Sequence, residues 1–480
     1  MKTIIIYARK DPPLIKIYDK FISTDYLDDN PVYKTHHGVG YMIKYANQHG
    51  ETVDFLDLYH ISWNKFKKIV KNYDLVGYSI LSTYSNVAFK AIEINKKVNK
   101  NATIVVGGYD PTICTQNYVD NPLIDYVMIG EGEISFLELI KAKKENKLNK
   151  LGKIIQGKQI EDLDSLGFIN RDIFINNTDV FIDGSHSSND LTQVNYPSFP
   201  IIASRCCLYG CKFCQPAPKT MSGTKLRMRT PEHVVKEIVH LKKKIENSFS
   251  VLYIGFIDDN PFQNRDWIIK FIECLKKVDF GSDFKLKFGM YARSNNIINN
   301  EDLIDELQKL GWSDVLIGFE SGSNKMLKYL GKGTTVEMNK KALNIMNEKK
   351  INVSGTFMFG FPNETKKDIE LTKKFIKENK IYHVMVFSFN PSPGNYLTME
   401  YKEKNLLYED SEHLNMLFNR PRVKGVNYYS LMYIIFKLKL INKIGLKYKL
   451  VEFIFLILNI VLITEFYIVY NIKKSFKLTK

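Results

Sequence analysis

The chain has 480 residues, 45% of them hydrophobic, enough for two or three domains with filled cores. Its six cysteines follow no disulfide framework, and Met1-Lys2-Thr3 runs straight into Ile4-Ile5-Ile6, an apolar run too short for a secretory signal, so a reducing cytoplasm is the expected compartment. The formal charge of +16 suggests a nucleic-acid binder; however, twelve Lys or Arg against Glu452 and Glu465 from Arg420 onward put +10 in the tail and leave +6 for the preceding 419 residues, which argues against that class.

In the amino-terminal third, Thr3 to Tyr7, Thr52 to Leu56, Leu75 to Ser79, Ile104 to Val106 and Tyr126 to Ile129 are short apolar runs. Gly40 to His49 and Ser85 to Val98 carry helical spacing between them. The alternation predicts a parallel α/β sheet with ligand sites at the carboxyl ends of its strands. Two such ends are informative: Ser79-Ile80-Leu81 follows one strand and Gly107-Gly108 the next. Glycine lets a flat ligand approach the backbone and serine offers it a hydrogen bond, although either alone also describes an ordinary turn. Ile129-Gly-Glu-Gly-Glu133 closes the unit, and Glu131 and Glu133 read either as caps of the following helix or as cofactor contacts.

After a polar connector from about Leu151 to Tyr196, the stretch Ala203-Ser-Arg-Cys-Cys-Leu-Tyr-Gly-Cys-Lys-Phe-Cys-Gln215 places Cys207, Cys211 and Cys214 on one short loop. Thiolates are the soft ligands that iron-sulfur clusters and zinc select. Structural zinc wants four closed ligands, and no second Cys or His pair at ligand spacing follows; Cys206 is the one neighbour that could complete such a site, and inert buried thiols are the plain alternative. Three ligands instead leave a four-iron cluster with one open iron, where a small molecule can bind.

Strand-like runs then alternate with helical ones: Pro200 to Ser204, Val251 to Ile257, Lys285 to Met290, Asp314 to Gly318, Val353 to Phe359 and His383 to Phe387. Polar residues collect where these runs end: Asp258, Asp259 and Asn260, then Arg293, Glu320, and Gly360-Phe-Pro-Asn-Glu364. In parallel α/β folds that rim binds small molecules, against which stand the roles of helix caps and rim ion pairs. Thr230-Pro231-Glu232 reads as a helix start, with Arg227 and Arg229 before it as candidates for a cofactor phosphate. In the tail, Phe453 to Ile472 holds one charge in 20 residues between lysine-rich flanks, and is read as an interfacial helix, a membrane span or a helix packed on the catalytic body. Tyr428 to Phe436 is a second apolar patch, suited to an interface.

The cysteine spacing, with Phe213 before the last thiol and the apolar run Phe199 to Ala203 before the first, resembles the radical S-adenosylmethionine (SAM) enzymes. That resemblance implies a [4Fe-4S] cluster on Cys207, Cys211 and Cys214 and SAM on its open iron. By position, Phe213 belongs to the SAM site, Asp258 and Asp259 face its ammonium, Glu320 a ribose hydroxyl or the ammonium, Arg293 the carboxylate, and Gly360 passes close to the nucleoside. No single catalytic residue is singled out.

The amino-terminal third resembles a cobalamin-binding domain, whose pattern is D-x-H-x-x-G, S-x-L and G-G. It implies cobalamin contacts from Ser79, Leu81, Gly107 and Gly108, while Thr35 stands where the family has the Asp that orients the histidine, so His37 is left without that support as a cobalt ligand. The implied architecture is α/β: a Rossmann-like cobalamin-binding domain over 1–150, a linker over 151–196, a partial (β/α)6 radical SAM barrel over 197–399 and a helical, basic and apolar tail over 400–480.

The implied activity is a SAM-derived 5′-deoxyadenosyl radical that opens an unactivated carbon to C-methylation. Radical cyclisation, rearrangement or oxidation with the same cofactors is the alternative, and a non-catalytic iron-sulfur protein the third reading. The expected partners are a small-molecule or lipid-like substrate, an electron donor such as flavodoxin or ferredoxin, and an anionic membrane surface for the tail at the cytoplasmic face; nucleic acid is not expected.

Overall fold

The computed structural model describes residues 1–8, 36–174, 197–214, 223–408 and 422–439, with Leu456, Ile457, Ile460, Ile463 and Thr464. The chain divides into two compact units, one comprising Met1–Asp183, Tyr196–Leu208 and Pro216–Phe249, the other Gly184–Asn195, Tyr209–Gln215 and Ser250–Lys480.

The first unit is built on six parallel strands: β1 (Thr3–Tyr7), β2 (Asp54–Asp57), β3 (Leu75–Ser79), β4 (Thr103–Gly107), β5 (Tyr126–Ile129) and β6 (Ile154–Gln156). Their order is β2-β1-β3-β4-β5-β6. Alternate residues face opposite sides of a strand, so Ile4 and Ile6 join Val76, Tyr78, Ile104 and Val106 in one core, and Ile5 joins Leu75, Val105 and Met128 in the other. Helices α1 (His37–Gln48) and α4 (Glu133–Lys144) supply Val39, Ile43, Phe136 and Leu139 to the second core. Helices α2 (Trp63–Val70) and α3 (Ser85–Val98) supply Phe66, Val70, Ala88 and Ile92 to the first. Coverage on both faces explains why these strands are continuous apolar runs, each buried isoleucine contributing about 1.5–3 kcal/mol. The chain reverses direction across the sheet between β1 and β3, the switch point where such folds open a crevice.

The sixth strand, β6, lies in the stretch read as connector. It has three residues, a polar neighbourhood and a half-exposed Ile154, too little apolar alternation to stand out. The same unit carries β7 (Ser198–Ile201), the antiparallel pair β8 (Ser204–Arg205) and β9 (Arg227–Met228), and α5 (Pro231–Ile245). Thr230 caps α5, its hydroxyl accepting from the His233 N–H, with Pro231 in the first turn as the sequence predicts.

In the second unit, β10 (Val251–Phe256), β11 (Lys285–Ala292), β12 (Trp312–Glu320), β13 (Asn352–Phe359) and β14 (His383–Ser388) are parallel and ordered β14-β13-β12-β11-β10. Crossover helices α6 (Arg265–Lys276), α7 (Val336–Glu348) and α8 (Lys366–Glu378) start on the caps Asn264, Thr335 and Thr365, the last forming a capping box with Asp368. The α/β barrel-type alternation is as expected, with the predicted run Pro200 to Ser204 divided between β7 and β8.

Helix α9 (Tyr428–Lys439) corrects one expectation. The apolar patch read as an interface packs on β14 instead, burying Tyr428, Leu431, Met432, Ile435 and Leu438, whose spacing makes one helical face. Among the described residues no helix is long and apolar enough to cross a membrane. Apart from five isolated positions, Phe453 to Ile472 lies outside the described residues.

Candidate active site

At the carboxyl edge of the first sheet, the two predicted segments come together. The Ile80 N–H donates to the Gly107 carbonyl at 2.9 Å and the Asp110 N–H to the Ile80 carbonyl at 3.1 Å. Gly108 takes a φ of +94°, and a Cβ there would stand 3.2 Å from the Ile80 nitrogen and 3.3 Å from Ser79 Oγ. Only glycine gives this floor without strain. Leu81 is exposed beside it, and the Ser82 hydroxyl is buried without a hydrogen-bond partner. A bare glycine floor, an exposed apolar side chain and an orphaned hydroxyl fit a large flat ligand with polar arms, as cobalamin is.

His37 sits at the start of α1, buried, with Nε2 at 3.1 Å from the Pro200 carbonyl oxygen. Donation to that carbonyl puts the proton on Nε2 and removes its lone pair from metal ligation. His36 instead meets a carboxylate, Nε2 lying 3.3 Å from Asp57 Oδ2, with its ring centre 3.7 Å from that of Tyr7 at a tilt of 31°.

Glu131, Glu133, Arg227 and Arg229 are all engaged in ion pairs within the first unit. Arg227 grips Glu131 with both terminal nitrogens and donates to the Ile160 carbonyl at 2.6 Å. Arg205 reaches Glu131 at 3.0 Å and Glu133 at 2.6 Å. Arg229 and Arg171 share Glu237 at 2.6 and 2.9 Å. Glu133 also lies in the first turn of α4, where the helix dipole favours an acid, and Arg227 and Arg229 are each paired with a glutamate. The groups are buried, and unpaired charges there would be costly, so each is spent on its opposite. Burial pushes the Glu237 carboxyl up, but Arg171 and Arg229 outweigh it and leave its pKa below the usual carboxylate value.

The part of the cysteine loop from Cys211 to Cys214 is tied down within the second unit. The Lys212 N–H donates to the Leu330 carbonyl at 2.9 Å, the Leu397 N–H to the Lys212 carbonyl at 3.1 Å, and Asn395 Nδ2 to the Phe213 carbonyl at 3.4 Å. The Cys214 N–H closes a turn onto the Cys211 carbonyl at 3.1 Å. Phe213 packs against Met326, Leu330, Leu397 and Tyr401, with the Lys332 ammonium 5.8 Å from its ring centre. None of the six cysteines, all among the described residues, is in a disulfide; Cys207 and Cys211 are half-buried and Cys214 is exposed. Among the described residues no group of three or more His, Cys, Asp or Glu side chains is already gathered about a metal position. Two thiols on an anchored turn, one of them beside a guanidinium, with the Cys207 thiol just ahead in sequence, are nevertheless the donor chemistry that an iron-sulfur cluster requires.

The rim residues end their strands as predicted. Asp258 is buried and Asp259 exposed after β10, and Asn260 is buried with Nδ2 on Asn296 Oδ1 at 3.1 Å. Arg293, after β11, donates from Nη1 to Cys211 Sγ at 3.1 Å, from Nη2 to the Lys332 carbonyl, and from Nε to Asn295 Oδ1 at 3.3 Å. It also stacks on Tyr209, 3.8 Å from the ring centre. Glu320 ends β12 at a φ of +62° and a bulge, and Lys332 holds its Oε1 at 2.9 Å. That pair folds over Gly318, where a Cβ would stand 2.3 Å from Glu320 Oε1. Gly360, at φ +92°, donates its N–H to Glu364 Oε2 at 2.8 Å. Burial pushes the Glu364 carboxyl up to about 7, its backbone donors notwithstanding. Sequence reading passed over Tyr209, Lys332 and Asn295, and named Glu364 only within a strand-end run; the glycines flanking Lys332 are the only local signal for it, and they mark a turn.

Two family models match the chain, the radical SAM superfamily over residues 201–376 and the B12 binding domain over residues 33–140. A methylthiotransferase candidate of Methanocaldococcus jannaschii is 31% identical over 366 residues, covering 71% of this chain and 73% of that one. The chain belongs to the B12-binding radical SAM family. This B12-binding radical SAM protein is also 26% identical over 361 residues to an uncharacterized methyltransferase of Pyrococcus horikoshii, covering 72% of this chain and 74% of the relative. It is 28% identical over 319 residues to the anaerobic magnesium-protoporphyrin IX monomethyl ester cyclase of Rubrivivax gelatinosus, spanning 64% of this chain and 54% of that one. The radical SAM methyltransferase TsrM of Kitasatospora setae, solved with cobalamin and a [4Fe-4S] cluster, shares the fold at a TM-score of 0.61 and 15% identity, covering 91% of each chain. As a member of this family the protein is an enzyme with a [4Fe-4S] cluster, SAM and cobalamin as cofactors.

Proposed function

We propose that this enzyme C-methylates an unactivated carbon of a small molecule. The observation that carries the reading is the presence, in one chain, of a three-thiol motif with two of its thiols on an anchored turn and of a glycine floor at a B12-type sheet edge. Cys207, Cys211 and Cys214 hold the cluster; Phe213, Asp258, Asp259, Arg293, Glu320 and Gly360 line the SAM site; Ser79, Leu81, Gly107 and Gly108 receive cobalamin. The corresponding domains are 1–150, 197–399, the linker 151–196 between them and a tail over 400–480. When bound, these groups supply a one-electron cleavage of SAM to methionine and a 5′-deoxyadenosyl radical, together with a transferable methyl group.

The chain's own contribution is positioning. The bonds from Leu330, Asn395 and Leu397 fix the backbone that carries Cys211 and Cys214, which lowers the entropy cost of ligation. Asp258 and Asp259 offer negative charge to the SAM ammonium, and Gly360 keeps the nucleoside's path free of a side chain. A flavodoxin or ferredoxin supplies the electron, and the basic tail favours an anionic membrane surface, which suits a lipid-like substrate.

The test is reconstituted enzyme with methyl-labelled SAM under reducing conditions. Label in the product is expected, and Cys211→Ala abolishes both product and 5′-deoxyadenosine; unlabelled product beside 5′-deoxyadenosine overturns methylation. A second reading, ring closure without methyl transfer, draws on the likeness to the cyclase and is the one that outcome would leave standing.

A further inference from the structure

Arg293 is a buried cation held by several partners at once. Its Nη1 faces Cys211 Sγ at 3.1 Å, its Nη2 the Lys332 carbonyl, its Nε the Asn295 side chain at 3.3 Å, and its π-face lies on Tyr209 at 3.8 Å. Tyr209 is fixed in turn, its hydroxyl accepting from Asn295 Nδ2 at 2.8 Å and donating to Asn296 Oδ1 at 3.2 Å. Three of its five N–H donors and one face of its plane are therefore engaged within the protein, which sets it against the thiol rather than leaving it a free clamp for a SAM carboxylate.

We infer that Arg293 is a positioning residue for the cluster itself: it donates a charge-assisted hydrogen bond to the Cys211 sulfur and thereby raises the reduction potential of the centre those thiols hold. The inference rests on the cluster reading above. A positive charge and an N–H···S bond both favour the more negative, reduced form, since hydrogen bonding to the sulfurs and local charge are what set such potentials. A fixed donor adds specificity, because Tyr209 lies inside the motif, between Cys207 and Cys211, and holds the arginine against that one thiol. The electron itself comes from an external reductant, and no proton moves with it.

The experiment is an EPR-monitored redox titration of the reconstituted full chain without SAM, comparing the wild type, Arg293→Gln and Arg293→Lys, with iron and sulfide content measured on each sample. At the wild-type midpoint, the reduced-to-oxidised ratio of Arg293→Gln is expected to fall about tenfold, which for a one-electron couple is 59 mV. Arg293→Lys keeps the charge but loses the fork and falls between. An Arg293→Gln cluster that is reduced at the wild-type potential, with SAM affinity lowered instead, overturns the inference and returns Arg293 to the carboxylate. If Arg293→Gln holds no cluster, Arg293→Lys decides: a wild-type potential there overturns the inference, a lowered one supports it. Failure of the unmodified chain to take up a [4Fe-4S] cluster sinks the underlying reading, and is distinguishable because it is seen before any substitution.

Discussion

In the first unit four arginines end on carboxylates: Arg171 and Arg229 on Glu237, Arg205 on Glu131 and Glu133, and Arg227 on Glu131. In the second, Arg293 ends on a thiol and a backbone carbonyl, and the buried carboxylate Glu320 ends on a lysine while its own backbone sits at a φ of +62°. The first arrangement is closed, each charge cancelled by an opposite one, which is how a protein keeps ions in a dry interior. The second leaves a cation against a metal-ligating residue type and puts a non-glycine residue in the left-handed region, where strain is tolerated mainly at functional sites. Buried charge alone thus does not mark a site; the partner does.

Three changes test that contrast. Glu237→Ala strands Arg171 and Arg229 and is expected to cost about 3–5 kcal/mol in urea unfolding; a loss below 1 kcal/mol would mean that the network is not what holds this unit. Because the folded Glu237 pKa is depressed, its contribution is complete above the unfolded carboxylate pKa and is lost as pH falls through the folded value.

Glu364 has the opposite sign. Its folded pKa, about 7, lies above the unfolded 4.5, so the folded chain holds the extra proton in that window and stability falls as pH rises through it. Relative to Glu364→Gln, the wild type should lose on the order of 2–3 kcal/mol between pH 4.5 and pH 8. Parallel pH profiles would show that this carboxyl titrates normally.

The smallest effect on stability is expected from Gly318→Ala. The obstructing atoms, Glu320 Oε1 at 2.3 Å and Lys332 Nζ at 2.7 Å, are tips of flexible side chains, so the cost is about 1 kcal/mol. SAM affinity should nevertheless drop clearly, since the Glu320–Lys332 pair is displaced. An unchanged affinity by equilibrium binding would remove Glu320 from the SAM site.

Much of the fold was legible because burial on a strand repeats every two residues and on a helix every 3.6, so Ile4-Ile5-Ile6 and Ser85 to Val98 declare themselves locally. The cysteine spacing was legible for the same reason: three ligands of one centre on one turn are a local pattern. Strand β6 was missed because three residues carry too little period. Glu131 and Arg227 were each read as candidates for a cofactor, yet they are each other's partner across 96 residues of chain.

What the sequence determined by itself was therefore the alternation of strands and helices, the three-thiol turn, and the residues at the strand ends. Only the tertiary structure decided where the charges go: that Arg227 ends on Glu131, that Lys332 holds Glu320, and that Arg293 reaches Cys211 from 82 residues away. Periodicity encodes which face of an element is buried, whereas the partner of a buried charge depends on which distant segments packing brings within about 3 Å, and no local pattern records that.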